Sequence, residues 1–284
     1  MSSQPPIFNV GEQPLVVELP PRPSFARRIQ RAHDLADKYP SAAELLRFYA
    51  LLAFHQEYLF NYVREAGPLL RFSDQWLVAI ELLLPKFGGF ARSVAEISPL
   101  PMSARASELA TASSAEQSRL LTGLWENGLE PESVSAADRC IALSFLQPYA
   151  ELLAGVRDGP SSTPSGDTCP ICGSKPVCAV LRDRAHGAGR SLVCSLCMNE
   201  WNFLRVMCQV CGEDRFESLP VFTSVHIPHV RVDACDGCRH YIKTVDMTKD
   251  GLAVSVVDEL AAVSLDIWAT ERKYRKLVPN LLGL

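Results

Sequence analysis

Eight cysteines in four CxxC pairs are the residues of this chain best suited to chemistry. All of them lie between positions 169 and 238. Two thiolates separated by two residues can direct their sulfurs to a common point about 2.3 Å away, and two such pairs complete a tetrahedron around a metal with no open position. Four pairs therefore predict two closed sites. The expected ligands are Cys169, Cys172, Cys194 and Cys197 for the first site, and Cys208, Cys211, Cys235 and Cys238 for the second.

The spacing indicates which pairs belong together. The interval from Cys172 to Cys194 in the first set nearly equals the interval from Cys211 to Cys235 in the second, and the whole pattern recurs at an almost constant offset. The repeat extends to neighbours, because Cys169-Pro-Ile-Cys-Gly173 matches Cys208-Gln-Val-Cys-Gly212, and an apolar, strand-like run precedes the second pair of each set. A duplicated metal-binding ribbon module is the simplest interpretation.

The residue after each pair bears on how tightly the chain wraps the metal. Gly173 and Gly212 follow the first pair of each module, where a residue without a Cβ lets the backbone turn its N–H groups toward the sulfurs. Met198 and Arg239 follow the second pairs. We therefore expect the second turn of each module to be wrapped less tightly than the first.

Three other uses of paired cysteines fit the sequence less well. Disulfides require an oxidising compartment, yet the chain opens without a cationic segment or an apolar signal region, so the cytoplasm is the expected location. It also lacks an apolar run long enough to span a bilayer, so no membrane insertion is expected. A thioredoxin-like motif needs one CxxC at the start of a helix, whereas here two of the four pairs are followed by glycine and all four are matched for ligation. Iron–sulfur cluster motifs place several cysteines close together with one remote, unlike the symmetric two-plus-two pattern of this chain.

The identity of the metal stays open at this point. Zinc and iron both accept four thiolates in a tetrahedron, and the spacing of the cysteines does not separate them. Zinc is the usual metal of structural sites.

The remaining cysteines and the histidines give weaker signals. Cys140 lies in a helical run and Cys178 in a strand-like run, so both are expected to pack as small apolar side chains. His226 and His229 lie between the ligand pairs of the second module, where a solvated turn is favoured over a metal or partner contact. His240 follows the last cysteine and is a candidate hydrogen-bond donor to a sulfur.

Charge argues against nucleic acid as a partner. The chain has a formal net charge of −4. From residue 167 to 245 there are nine Lys/Arg and eight Asp/Glu, a balance of +1, and two four-thiolate sites holding divalent metals bring that balance to −3. A nucleic-acid-binding zinc ribbon should instead show a basic face. A thiol oxidoreductase that uses one CxxC is the second alternative.

The elements that position the cysteines follow a long helical region. Ser41-Ala-Ala-Glu44 is a capping box, and the run after it places apolar residues on one helical face, interrupted by His55 and Gln56. Gln56 suggests either a polar rim contact or a hydrogen bond between helices. Further helices are predicted over 25–38, 74–84, 90–96, 104–127 and 135–157, with a break at Gly88-Gly89 and a kink or a division at Pro148.

The composition changes sharply at 158–168, which is rich in Gly, Pro and Ser and has the character of a linker. After the cysteines, a strand is expected over 241–245 and a helix over 255–273, with Leu260, Val263, Ile267 and Trp268 against apolar surroundings. The expected fold class is α+β. The expected divisions are a helical domain at 1–157, a linker at 158–168, ribbon modules at 169–204 and 205–245, and a C-terminal helical segment at 246–284.

These residues, taken in order, resemble the formate dehydrogenase accessory proteins called FdhE. The resemblance covers about residues 165 to 275. It is carried by Cys169-Pro-Ile-Cys-Gly-Ser174, Cys194-Ser-Leu-Cys-Met-Asn-Glu-Trp201, Arg205 with Cys208-Gln-Val-Cys-Gly212, Cys235-Asp-Gly-Cys-Arg-His-Tyr-Ile-Lys243, Asp258-Glu-Leu-Ala and Leu265-Asp-Ile-Trp268.

The resemblance implies a cytoplasmic helper rather than an enzyme. Such a protein binds the catalytic subunit of a molybdenum- or tungsten-dependent formate dehydrogenase and is needed for that enzyme to become active. The resemblance also implies that the eight cysteines hold two rubredoxin-like mononuclear iron sites, which favours iron over zinc. No glycine-rich phosphate loop, GxSxG or HExxH motif occurs in the sequence, so no catalytic residues are assigned.

Overall fold

The chain is built from a helical region, a sheet region that carries both cysteine clusters, and C-terminal helices, which confirms the predicted fold class. The computed structural model describes residues 22–66, 76–126, 134–156, 166–184 and 187–284. Most of the linker expected at 158–168 lies outside these ranges. None of the helices in the described ranges combines the length and the apolar character needed to cross a membrane.

Within the described residues, six helices form the first region. They are α1 (Phe25–Lys38), α2 (Ala43–Ala66), α3 (Trp76–Ile97), α4 (Met102–Thr111), α5 (Ser114–Glu126) and α6 (Ala136–Val156). Helix α1 has the predicted bounds, because Ser24 caps its first turn by accepting a hydrogen bond from the Arg27 N–H at 3.3 Å. A short 3₁₀ turn over Pro40–Ala42 precedes α2.

Two helix boundaries differ from the prediction. The segments expected at 74–84 and 90–96 form the single helix α3, and Gly88-Gly89 does not break it. A Cβ on Gly88 would lie 3.1 Å from the carbonyl oxygen of Ala110 in α4, so this glycine allows two helices to approach closely. The helix expected over 104–127 is divided into α4 and α5. Pro148 stays within α6 without dividing it.

Gln56 joins two helices of this region. Its side-chain amide in α2 donates to the Ser144 carbonyl oxygen at 3.0 Å and to Gln147 Oε1 at 3.1 Å, both in α6. Gln56 is buried, so these bonds satisfy a polar group that would otherwise be costly in the core. The interhelical hydrogen bond considered from the sequence is confirmed.

One continuous sheet holds both cysteine clusters. Its main strands are β1 (Pro176–Arg184), β2 (Gly187–Cys194), β3 (Glu200–Phe203), β4 (Val221–Thr223), β5 (Val230–Ala234) and β6 (His240–Asp246), in the order β3-β2-β1-β6-β5-β4. Each half is antiparallel, whereas the junction is parallel, with Ala179 of β1 opposite Thr244 of β6. The strands of the two predicted modules thus belong to one sheet.

The two cysteines outside the clusters have packing roles, as predicted. Cys140 is buried in α6 and Cys178 in β1. Burial raises the pKa of Cys140 to about 12 and also raises the pKa of Cys178, so both are held as neutral thiols.

The C-terminal segment contains α7 (Ser255–Ala261) and α8 (Val263–Glu271), and a short strand, β7 (Arg275–Lys276), pairs with β6. The single helix expected over 255–273 is therefore divided at Ala262. Leu260 is buried as predicted, and the Trp268 ring packs on Phe222 with ring centroids 4.6 Å apart. Ile267 is exposed, so its predicted apolar contact is wrong.

Candidate metal centres

Each CxxC pair lies in a turn beside a strand. The first pair precedes β1, and the second pair begins at the last residue of β2. The second module repeats this arrangement before β4 and at the end of β5. In each cluster the four sulfurs lie within 4.8 Å of one another. The fold therefore brings together the eight cysteines grouped from their spacing.

The sulfur separations in the first cluster match what a small tetrahedral metal requires. Cys169 Sγ is 3.6 Å from Cys197 Sγ, and Cys172 Sγ is 3.3 Å from Cys194 Sγ and 3.5 Å from Cys197 Sγ. Four sulfurs each about 2.3 Å from one metal lie about 3.8 Å apart at the corners of a tetrahedron. The first cluster is slightly tighter than this ideal and has the right shape.

The second cluster has similar dimensions. Cys208 Sγ lies 3.7 Å from Cys238 Sγ, and Cys211 Sγ lies 3.7 Å from Cys235 Sγ. A disulfide would hold the sulfurs at about 2.0 Å, and all these cysteines are free thiols. Each cluster can therefore hold one metal ion.

Backbone N–H groups point at the sulfurs. The N–H of Ile171 donates to Cys169 Sγ at 3.4 Å, and that of Val210 donates to Cys208 Sγ at the same distance. The N–H of Leu196 is likewise 3.4 Å from Cys194 Sγ. Such donors stabilise negative charge on a thiolate, which is the form that binds a metal.

The four turns share one conformation, so the expected loosening of the second turns is wrong. Gly173 and Gly212 have φ of 76° and 75°, and Met198 and Arg239 adopt nearly the same left-handed backbone with φ of 55° and 59°. In every turn the first cysteine donates its N–H to the carbonyl five residues later, at 2.8 to 2.9 Å. Met198 and Arg239 therefore tolerate a conformation that usually favours glycine, because the ligand geometry requires it.

Electrostatics favours a cation in each cluster. Burial raises the pKa of Cys194 and of Cys208, whereas the backbone N–H of Glu213 lowers the pKa of Cys211. Four adjacent thiols cannot all ionise without a compensating positive charge. A divalent metal supplies that charge, so the donor set fits a metal better than it fits four free thiols.

The two clusters differ in exposure. In the first, three cysteines are buried and Cys172 is half-buried, and Gln147 of α6 donates to the carbonyl of Ser195 inside the second turn at 3.0 Å. In the second, Cys211 is exposed and Cys238 is half-buried. The first cluster therefore lies against the helical region, and the second cluster is partly exposed to solvent.

The histidines differ in part from the expectations. His226 lies exposed in a turn, as favoured from the sequence. His229 is buried and its Nε2 lies 2.7 Å from Asp258 Oδ1, so the solvated turn predicted for it is wrong. The His240 ring contacts the Cys238 carbonyl oxygen at 3.0 Å, and the hydrogen bond to the Cys238 sulfur comes from the His240 backbone N–H instead.

His229 belongs to a third group of metal-type ligands that the sequence did not suggest. Its ring nitrogen and carboxylate oxygens of Asp250 and Asp258 lie within 4.8 Å of one another. Arg31 of α1 already supplies the cation, because its Nη2 is 2.6 Å from Asp250 Oδ2 and 2.6 Å from Asp258 Oδ1. We therefore interpret the group as a buried ion-pair network between α1 and the C-terminal segment. Its members come from opposite ends of the chain, so the sequence carried no signal of this contact.

Comparisons with known proteins point to one family. A family model described as FdhE, central domain, matches residues 168–205, and one described as FdhE, C-terminal domain, matches residues 206–282. A protein named "Protein FdhE homolog" from Aquifex aeolicus is 28% identical over 272 residues, covering 90% of this chain and 94% of that protein. A protein of the same name from Stutzerimonas stutzeri is 27% identical and covers 97% of this chain and 94% of that protein.

The fold agrees with a solved structure. The crystal structure of the FdhE protein from Pseudomonas aeruginosa superposes with a TM-score of 0.69 at 26% identity, covering 94% of this chain and 98% of that one. The likeness therefore includes the helical region, for which the sequence offered no residue-by-residue match. With both cysteine modules in place, the chain is similar to FdhE proteins along nearly its whole length.

Proposed function

We propose that this FdhE-type accessory protein binds the catalytic subunit of a molybdenum- or tungsten-dependent formate dehydrogenase and is needed for that enzyme to become active. The observation that carries the proposal is the pair of closed four-cysteine clusters within the stretch that matches the FdhE domain models. The resemblance of the cysteine motifs to formate dehydrogenase accessory proteins supplies the partner.

Each cluster would hold one mononuclear metal ion through its four cysteines. We favour iron on the family resemblance, with zinc as the alternative, because both metals accept this donor set. When bound, the metal crosslinks two turns that are well separated in sequence and so stabilises the sheet; iron would add a one-electron redox couple. The backbone N–H groups around each cluster hold the thiolates in place.

We assign the centres to folding and binding rather than to an enzymatic reaction. A site in which four protein sulfurs complete the tetrahedron leaves no position for a substrate or a reactive water. The clustered thiols also require a reducing compartment, which supports a cytoplasmic location. Fractionation of cells that produce the protein from its own promoter tests this location.

The experiment is anaerobic co-purification of the tagged chain with the formate dehydrogenase catalytic subunit, together with metal analysis and formate dehydrogenase activity. The variants Cys169→Ala and Cys208→Ala each remove one ligand from one cluster. Cys140→Ala is the matched control, because this buried cysteine lies in neither cluster. We expect two metals per wild-type and control chain, one in each cluster variant, and loss of partner activation in both cluster variants.

Undiminished capture and activation by both metal-depleted variants would reject a role for the clusters. The metal itself is read from the same preparations. A colourless wild-type protein with two zinc ions after anaerobic purification would exclude iron and leave the binding role intact.

A further inference from the structure

A cavity of about 150 Å³ lies between the two modules, beside the second cluster. Cys208 and Cys235 of that cluster line one side of it. Its other walls are mostly apolar, and three arginines surround them. The apolar wall residues used below are Val206, Phe216, Leu219, Val221 and Ala234, and the arginines are Arg190, Arg205 and Arg231.

The floor of the cavity is held in place by Arg190. This buried side chain extends from β2 of the first module and donates to the Met207 carbonyl oxygen at 3.0 Å and to Gln209 Oε1 at 3.1 Å. Its Nη2 also lies 3.6 Å from Asp233 Oδ2 in β5. Because β2 and β5 are three places apart in the strand order, the sheet must curl to bring them together. The contacts of Arg190 therefore tie β2 of the first module to the residues that line the cavity in the second module.

The three arginines of the cavity balance the negative charges of Asp233 and of the metal-loaded second cluster, so any available positive charge is local. Asp233 is shared by Arg190 and by Arg231, whose Nε is 2.8 Å from Asp233 Oδ1. Part of the charge on Arg190 offsets the negative charge of the neighbouring Cys208. Arg205 at the rim is exposed and makes no hydrogen bond or ion pair with the part of the chain that the structure describes. It is a cation available to an outside carboxylate.

The rim is also apolar and open. The Phe216 side chain is 73% exposed, and Val206 and Val221 are exposed beside it. With its apolar walls, the cavity of about 150 Å³ is large enough for a benzene-sized group. An apolar anchor that fills such a pocket, with a charge-assisted hydrogen bond at its edge, is a typical hot spot of a protein interface.

We propose that this cavity is where the formate dehydrogenase catalytic subunit docks, through a segment that inserts one large apolar side chain and places a neighbouring carboxylate on Arg205. The inference rests on the proposed function and adds to it the site and the chemistry of the partner segment. The charge of the rim selects an acidic segment, and the volume selects a side chain such as Phe, Leu or Met. The exposed second cluster, rather than the covered first one, then lies at the interface.

The test is a quantitative pull-down of the purified catalytic subunit by the metal-loaded full chain. Arg205→Glu reverses the rim charge, and Phe216→Ser removes the apolar rim. The matched controls make the same changes on the helical region: Arg92→Glu on α3, and Phe54→Ser on α2, where the phenylalanine is 61% exposed. We expect both cavity variants to bind at least about tenfold more weakly, and Arg205→Lys and both controls to bind as the wild type does.

The outcomes separate the two claims. If the wild type captures the subunit and Arg205→Glu and Phe216→Ser capture it equally well, the docking site is overturned and the proposed function stands. If the wild type does not capture the subunit, the proposed function is refuted, and so is the docking of that subunit at this cavity. A change in self-association of the Arg205→Glu chain with unchanged capture also overturns the inference, because the cavity would then serve a second copy. Metal content is measured in each variant, and weakened capture with two metals retained supports the site.

Discussion

Arg31 connects α1 of the helical region to the C-terminal segment, and its replacement by alanine tests the strength of that connection. The guanidinium makes three hydrogen bonds to Asp258, from Nε at 3.2 and 3.0 Å and from Nη2 at 2.6 Å, and a fourth to Asp250 at 2.6 Å. Burial works against the charge of Arg31, but the hydrogen bonds and negative charges of Asp258 and Asp250 together outweigh it and raise the pKa of Arg31. Arg31 therefore keeps its positive charge at any pH at which the protein folds.

The magnitude follows from burial. The Arg31 side chain is 11% exposed and that of Asp258 is 0% exposed. Removing one partner of a buried ion pair costs about 3 to 5 kcal/mol, because the other charge is left uncompensated. Asp258 keeps bonds of 2.7 Å from His229 and from the Val254 N–H, which places the expected loss at about 3 kcal/mol, the lower end of that range.

Amide hydrogen exchange is the suitable assay, since it reports local opening without requiring two-state unfolding. A loss of about 3 kcal/mol corresponds to exchange roughly 100-fold faster in α1 and α7. Arg47→Ala is the control, because Arg47 Nη2 lies 3.9 Å from Asp37 Oδ1 and the two side chains are 61% and 85% exposed. Such surface pairs contribute about 0 to 1 kcal/mol. If Arg31→Ala accelerates exchange no more than Arg47→Ala does, the network does not hold these regions together.

Three further perturbations follow from the structure. Burial tends to raise the pKa of Glu259, but Lys243 and Lys276 hold it at about 2, below its usual 4.5. The ionised Glu259 carboxylate therefore stabilises the folded state above pH 4.5, and this contribution is lost as the pH falls toward 2. In denaturant titrations at a series of pH values, Glu259→Gln should reduce the loss of unfolding free energy over this range by on the order of 3 kcal/mol. Gly89→Ala should stabilise α3 by about 1 kcal/mol in thermal melts, because nothing lies within 4 Å of the new Cβ. Gly88→Ala should be about 1 to 3 kcal/mol less stable than Gly89→Ala, because its new Cβ would lie 3.1 Å from the Ala110 carbonyl oxygen. A chelator should remove metal faster from the second cluster than from the first, because Cys211 is exposed; single-cluster variants with metal release followed over time measure this.

Each of these has a clear contrary result. If the stability of Glu259→Gln falls with acid as steeply as that of the wild type, the buried lysines do not lower the pKa of this carboxyl group. Equal melting shifts for the two glycine variants would remove the argument for close approach of α3 and α4. Equal metal release from both clusters would show that exposure of Cys211 does not control access.

Short-range chemistry was predictable from the sequence. The grouping of the eight cysteines followed from spacing alone, and α1 followed from the Ser24 cap, because both depend on residues close together in the chain. The left-handed turns at Met198 and Arg239 were not predictable from residue type, since the need of four sulfurs to converge outweighs the preference for glycine.

Long-range contacts were not predictable in the same way. The Gly88-Gly89 pair looked like a helix end, and only the neighbouring α4 shows that the missing Cβ serves packing between helices. His229 looked solvated because its partner Asp258 comes from a later segment. The joining of the two modules into one sheet likewise depends on β1 meeting β6, a strand from the far end of the second module.

That parallel junction has a consequence for synthesis on the ribosome. The strand β1 gains its second neighbour only when β6, at His240–Asp246, has emerged, so an open sheet edge must persist while the intervening chain is made. Pairings of such sequence separation form late and leave edges prone to aggregation in the meantime. Early capture of metal by the first four cysteines would hold β1 and β2 in place during that interval, so the nascent chain's access to metal ions can limit the yield of native protein.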